Sequence, residues 1–242
     1  MKVEFCLPIY NEEKILKENI NRLLRFCHSK KFDFDWKIVI LNNGSSDKSE
    51  EICRDLVSPR IKIVNELAKG KGKAIKNYWN KTSADIVLYM DIDLAVSLDN
   101  IIDLVLPVIN KESDLVIGSR LLRESKIERS LIRECSSQTY NLLSRLTCKH
   151  KFSDLQCGFK AIRSDIFKKI YPFMEDEKWF FDTELIIFAN VLGYRIKEIP
   201  VEWSENRYDN RKSKINLARD TFKFVINLIK LKKRIRQLKK NN

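Results

Sequence analysis

The chain has 242 residues, 44% hydrophobic and 33% charged, with 46 Lys/Arg against 33 Asp/Glu and a formal charge of +13. That length and apolar content exclude a small disulfide-stapled module and a disordered chain, and suit one α/β domain with an appendage. The charge invites a nucleic-acid reading, but thirteen of the Lys/Arg and two of the Asp/Glu fall within 207–242. The first 206 residues therefore carry only +2, whereas a nucleic-acid binder spreads positive charge over a groove or recognition element. No nucleic-acid partner is expected. Six cysteines occur without a Cys-x-x-Cys pair, beside two histidines. This predicts reduced thiols in a cytosolic compartment and no structural zinc. Residues 1–10 lead straight into Asn11-Glu12-Glu13, which does not read as a signal peptide. No apolar run is long enough to predict a transmembrane helix.

In chain order, 3–9 (VEFCLPI) read as a buried strand and 12–28 as a helix with Ile15, Leu16, Ile20, Leu23 and Leu24 near one face. Residues 36–41 form a second strand, and the turn Asn42 to Asp47 leads into a helix over 47–57. A short strand at 61–64 precedes the loop Lys69-Gly70-Lys71-Gly72-Lys73 and a helix at 73–81. Residues 85–90 form a strand that ends at Asp91-Ile92-Asp93. A helix at 98–110 and a strand at 114–117 complete a strand–helix alternation, which predicts a mostly parallel, Rossmann-like α/β sheet with helices on both faces. Beyond 118 the order blurs. Helices are expected at 133–148, 163–171 and 181–192, strands near 195–199 and 201–203, and one long helix over 215–239.

The sharpest local signal is Asp91-Ile92-Asp93. Alternate residues of an extended segment face one side, and the carboxyl end of a sheet strand is where open α/β folds place ligands. Two carboxylates there can hold Mg²⁺ or Mn²⁺ against a diphosphate, or simply cap a helix and face solvent. Asn42 to Asp47 ends another strand and reads as a base or ribose contact or as an ordinary turn. Lys69 to Lys73 combines glycines that admit a ligand with lysines for phosphate, without being a P-loop, and reads equally as a solvated basic turn. Gly118-Ser119-Arg120, Arg129 and Arg133 supply further cations, and Arg133 shares a helix face with Ser137 if 133–148 is helical. Asp154 to Lys160 and Trp179 to Glu184 mix aromatics with acids, as a sugar subsite or a core rim would.

Together these segments resemble the family 2 glycosyltransferases of GT-A fold, in the branch that transfers sugar to a polyprenyl or dolichyl phosphate. The matching pieces run in order: Leu7 to Glu13, Asn42 to Asp47, Gly70-Lys71-Gly72, Asp91-Ile92-Asp93, Gly118-Ser119-Arg120, Asp154 to Lys160, Trp179 to Glu184 and Val201-Glu202-Trp203. The Asp-x-Gln-Cys-Gly-Phe-Lys run resembles the dolichyl-phosphate glucosyltransferases more than the mannosyltransferases. The resemblance implies that Pro8, Tyr10, Glu12, Asn43 and Lys71 line the nucleotide, and that Asp91 and Asp93 bind the metal and diphosphate. It implies that Arg120, Arg133 and Ser137 hold the acceptor phosphate, that Asp182 lies near the transferred sugar, and that Lys214 closes near the phosphates. One departure stands out: the family usually carries acids where this chain has Asn42-Asn43, so the base contact falls to an amide that donates as well as accepts.

The implied reaction is an inverting transfer, most simply of glucose from a UDP-sugar to a dolichyl or polyprenyl phosphate. Mannosyl or N-acetylglucosaminyl transfer to the same lipid, and transfer to a soluble saccharide, are the alternatives. A catalytic GT-A domain over 1–212 and a basic amphipathic helix over 213–242 are expected. The helix has apolar positions at Phe222, Val225, Ile226 and Ile229, continued by Leu228, Leu231, Ile235 and Leu238, among lysines and arginines. That pattern suits peripheral attachment to an anionic membrane on its cytosolic face. It equally suits packing on the chain's own domain or in a homo-oligomer.

Overall fold

Strand β1 (Lys2–Ile9) is buried at seven of its eight positions, as expected of a parallel strand covered on both faces. It pairs in parallel with β2 (Asp35–Asn43) and β4 (Ile86–Met90), and β2 pairs in parallel with β3 (Ile61–Glu66). A computed structural model describes residues 1–67, 69–128, 131–204 and 217–241, with side chains outside 131–136, 217–222 and 241. With β5 (Leu115–Ser119), β7 (Phe159–Arg163) and β8 (Ile196–Pro200), the seven-stranded sheet has the order β3-β2-β1-β4-β7-β5-β8. Strands β5 and β8 run parallel to each other, while β7 lies antiparallel between β4 and β5. A separate two-stranded ribbon joins β6 (Lys126–Glu128) to β9 (Glu202–Ser204).

Alternate strand residues feed two cores. Val3, Phe5 and Leu7 pack with α1 (Leu16–Lys30), α2 (Ser49–Leu56) and α4 (Asn100–Ile109). Cys6, Val39 and Tyr89 pack on the other face with α3 (Lys71–Lys81), α6 (Ser164–Ile170) and α7 (Phe181–Val191). Helices α5 (Leu131–Cys148) and α8 (Leu217–Asn241) lean on that second face through Tyr140, Leu228, Leu231 and Ile235. Of the apolar positions read in the C-terminal segment, Leu228, Leu231 and Ile235 thus pack inward, while Val225, Ile226 and Ile229 stand exposed.

The expected mostly parallel sheet with helices on both faces is present. Strands β6 and β7 lie where no strand is predicted. The expected boundary at 212/213 lies outside the described residues.

Candidate active site

The strand order reverses between β1 and β4, since β1 leads to β2 on one side and meets β4 on the other. The crevice beyond their carboxyl ends is where such folds place ligands. Pro8 is buried near the end of β1, and Tyr10 and Glu12 follow in the loop to α1. That loop is stitched to the one after β2. Asn11 N–H donates to Ser45 Oγ (3.0 Å), Ser46 N–H to Asn11 Oδ1 (2.8 Å) and Lys48 N–H to Glu13 Oε2 (3.0 Å). Asn43 is buried and its Oδ1 accepts the Gly70 N–H, so its carbonyl oxygen braces the glycine loop. Lys69 Nζ stands 3.8 Å over the Tyr10 ring, facing the same crevice.

The acidic element is a turn rather than extended strand. Leu94 N–H donates to Asp91 C=O (3.0 Å), and Leu94 sits at φ 49°. Burial still alternates, with Ile92 and Leu94 inside and Asp91 and Asp93 part-exposed. Asp93 Oδ1 accepts the Ala95 N–H (3.2 Å). Gly158 leaves room for the Asp91 carboxylate, because a Cβ there would fall 2.2 Å from Asp91 Oδ2. Lys71 Nζ donates to Asp91 Oδ1 (2.6 Å) and lies about equally far from the Trp179 and Tyr89 rings, at 4.9 and 5.0 Å. Burial alone would lower the Lys71 pKa, but the Asp91 and Asp182 charges outweigh it and hold it raised, so a cation already faces the carboxylate.

Beneath this mouth lies a buried charge pair. Lys160, fully buried on β7, donates to Asp182 Oδ1 (2.6 Å) and to the Cys157 carbonyl. Tyr89, opposite Lys160 in the β4–β7 register, donates its hydroxyl to the same Asp182 oxygen. Burial and the Asp182 charge hold the Tyr89 phenol well above its ordinary range, so it remains a donor. Tyr89 reads in sequence as an ordinary strand residue, while Lys160 shows only as the end of the Asp154-to-Lys160 run, with no strand and no buried partner predicted for it.

Arg120 reaches the site already engaged. Its Nε and one terminal nitrogen clasp Asp154 (2.7 and 3.0 Å), and that carboxylate is fully buried. At least part of the guanidinium is thus committed to structure and not free for an acceptor phosphate. Burial alone would raise the Asp154 pKa, but the Arg120 charge and hydrogen bonds outweigh it and bring it down to about 2. Because this folded value lies below the unfolded one, the pair contributes stability above about pH 4, which is lost as pH falls through about 2. The shift corresponds to about 2 kcal/mol. Urea unfolding between pH 5 and pH 2 should show Arg120→Met/Asp154→Leu losing about that much less stability than the parent chain. Equal losses would mean the pair does not titrate as described.

Ser137 lies on α5, near Tyr140, whose hydroxyl is 2.6 Å from Thr183 Oγ1 beside Asp182. Arg133 lies on the same helix, with its side chain outside the described residues, as are Arg129 and Lys214. The far helix also reaches the site. Arg234 of α8 pairs with buried Glu184, whose Oε2 accepts the Glu175 and Asp176 N–H groups (2.9 and 2.8 Å). The next carbonyls, of Glu177 and Lys178, accept the Lys73 and Gly72 N–H groups (both 3.0 Å). The glycine loop is therefore braced from two sides, by Asn43 and by a segment that α8 holds.

The donor set suits a hard divalent ion. Asp91 and Asp93 offer carboxylate oxygens, and a lysine ammonium already meets one of them. Among the described residues no cluster of three or more His, Cys, Asp or Glu could hold a metal. An ion on this pair would complete its shell from diphosphate and water, which is how Mg²⁺ is commonly held.

Glycosyl transferase family 2 matches residues 4–171, and the chain belongs to that family. It is a glycosyltransferase that takes a nucleotide-sugar donor. It is related to the dolichyl-phosphate β-glucosyltransferase branch. It is 33% identical to dolichyl-phosphate beta-glucosyltransferase ALG5A of Trichomonas vaginalis, over 93% of this chain and 73% of that protein. It is 30% identical to glycosyltransferase AglD of Haloferax volcanii, over 91% of this chain but only 35% of that protein. Among solved structures, glucosyl-3-phosphoglycerate synthase of Mycobacterium tuberculosis, bound to Mn²⁺, UDP-glucose and phosphoglyceric acid, aligns with a TM-score of 0.66. The alignment covers 97% of this chain and 79% of that one at 18% identity. At that identity it establishes the shared GT-A-like fold.

Proposed function

We propose that this chain transfers glucose from UDP-glucose to the phosphate of a polyprenyl or dolichyl lipid, with inversion, at the cytosolic face of a membrane. The observation that carries the phosphate acceptor is the occupancy of Asp182. Its Oδ1 already accepts hydrogen bonds from Lys160 and Tyr89, which commit that oxygen and hold the carboxylate oriented for a sugar hydroxyl. Attack by an acceptor hydroxyl calls for a general base. A phosphate monoester, whose second pKa is near 6, is largely dianionic at neutral pH and attacks unaided.

The remaining problem is electrostatic, since nucleophile and leaving group are both anionic. Asp91 and Asp93 would hold Mg²⁺ or Mn²⁺, which would supply charge stabilisation to the diphosphate. Lys71 and Lys69 add cations on the donor side, and the family resemblance assigns Arg133 to the acceptor side. Tyr10, Glu12 and the loops braced by Asn43 shape the nucleotide crevice. Positioning contributes much of the rest.

A second reading is transfer to a soluble acceptor. It draws on the glucosyl-3-phosphoglycerate synthase structures that hold UDP-glucose with phosphoglyceric acid. The two readings separate when labelled UDP-glucose and Mn²⁺ are incubated with dolichyl phosphate, phosphoglyceric acid or a free saccharide. Label moving into the lipid phase supports the first. Label confined to a water-soluble product overturns it in favour of the second. GDP-mannose and UDP-N-acetylglucosamine in parallel fix the donor.

A further inference from the structure

We infer that the outer face of the α5–α8 helix pair is a membrane-docking surface for anionic lipid, an inference that rests on the lipid-acceptor reading above. The two helices run side by side in parallel. Tyr140 packs on Phe224 with ring centroids 5.2 Å apart, and Cys148 feels the charge of Lys232. Both pairs are offset by the same number of residues, so the helices stay in step. Leu142 is then level with Ile226, Leu146 with Lys230, and Lys149 with Lys233.

The inward stripe of α8 is used up by the core, as Leu228, Leu231 and Ile235 are buried. Yet large apolar side chains also stand outward. Leu142 is 58% exposed, Leu146 68% and Ile229 62%, with Leu143, Val225 and Ile226 exposed beside them. They come from both helices and lie at the same levels, so they form one band rather than scattered surface residues. Further along both helices the band gives way to cations, including Lys149, Lys233 and Arg236, all exposed.

The charge pattern selects the occupant. Residues 137–151 contain three Lys/Arg and 221–242 contain eight, and neither segment contains an Asp or Glu. A second copy of the chain would bring cations against cations or against leucines, and would supply no counter-charge from these two segments. An acidic protein or nucleic acid would pair with the cations but leave the leucines in water. An anionic bilayer meets both demands, with apolar side chains at the acyl boundary and lysines at the headgroups. The band begins near the chemistry, because Tyr140, on the buried side of α5 one turn before Leu143, contacts Thr183 beside Asp182 (2.6 Å). Docking there would bring a lipid phosphate toward the crevice from the membrane side.

Sedimentation of the full chain with vesicles tests the face. The parent chain should pellet with phosphatidylcholine vesicles containing phosphatidylserine, less with phosphatidylcholine alone, and less at high salt. Leu146→Asp/Ile229→Asp, at two exposed positions, should keep the melting temperature and weaken vesicle binding by at least about tenfold. The variant should transfer glucose to a short-chain, water-soluble polyprenyl phosphate at the parent rate. Three results overturn the inference: vesicle binding unchanged in the variant, a parent chain that ignores anionic vesicles, or a parent dimer in solution that the variant splits. Vesicle binding that behaves as expected, with no transfer to any lipid phosphate, overturns the acceptor reading and leaves the docking face standing.

Discussion

Asp93→Ala is expected to lower turnover by roughly a thousandfold, about 4 kcal/mol of transition-state stabilisation, with the fold intact. The structure gives Asp93 two roles that must be separated. It faces the crevice mouth beside Asp91, where a divalent ion and the donor diphosphate would sit. It also accepts the Ala95 N–H at 3.2 Å and so helps close the turn after β4. A single hydrogen bond of this kind is worth about 1 kcal/mol of stability, too little to abolish activity. Asp93→Asn keeps an acceptor for Ala95 and removes the charge. If charge is the active property, Asn should be nearly as damaging as Ala, and donor-dependent Mn²⁺ binding should weaken in both. Near-parental turnover in Asp93→Asn would assign the residue to the turn and withdraw it from the metal site.

The same element shows how far the sequence carries the argument. The Asp-Ile-Asp spacing at the end of a hydrophobic strand is visible without a structure. Its extended geometry was an assumption, and the chain turns instead, with Leu94 at positive φ. The burial alternation survives because Ile92 and Leu94 are drawn into the core. Elements from β1 to β5 were legible because most of the strands are short apolar runs buried on both faces and the helices between them carry apolar stripes. Strand β7 was not, because a lysine within it, at its second position, reads as surface. Lys160 is tolerated there only because Asp182 and the Cys157 carbonyl meet it, and nothing local announces a partner 22 residues away. Arg120 and Asp154 make the same point. Each looks like a free ligand group until the fold joins them across 34 residues. The C-terminal helix was legible as amphipathic, but its faces were not. Leu231 and Ile235 turn inward, Ile229 turns outward, and only contact with α5 decides which is which.

Lys160→Met should be the most destabilising single change near the site. The lysine side chain is 0% exposed and its partner carboxylate 4%. Removing one member of a buried pair leaves the other charged, desolvated and short of a partner, at a cost of about 3–5 kcal/mol. Tyr89 alone would remain on Asp182 Oδ1. Methionine fills most of the lysine volume, so lost packing is a minor part of the loss. The double change Lys160→Met/Asp182→Asn removes both charges and keeps an oxygen for the Tyr89 hydroxyl. It should recover most of the lost stability in urea unfolding while transfer stays low, because the group proposed to hold the donor sugar is no longer an oriented carboxylate. Asp182→Asn alone would strand the lysine and should cost a comparable amount. The interaction energy from this cycle measures the pair directly. Additive single effects would mean that Lys160 is held by packing and its carbonyl bond alone. A double variant with parental turnover would remove Asp182 from the chemistry altogether, and with it the argument that an occupied carboxylate points to a phosphate acceptor.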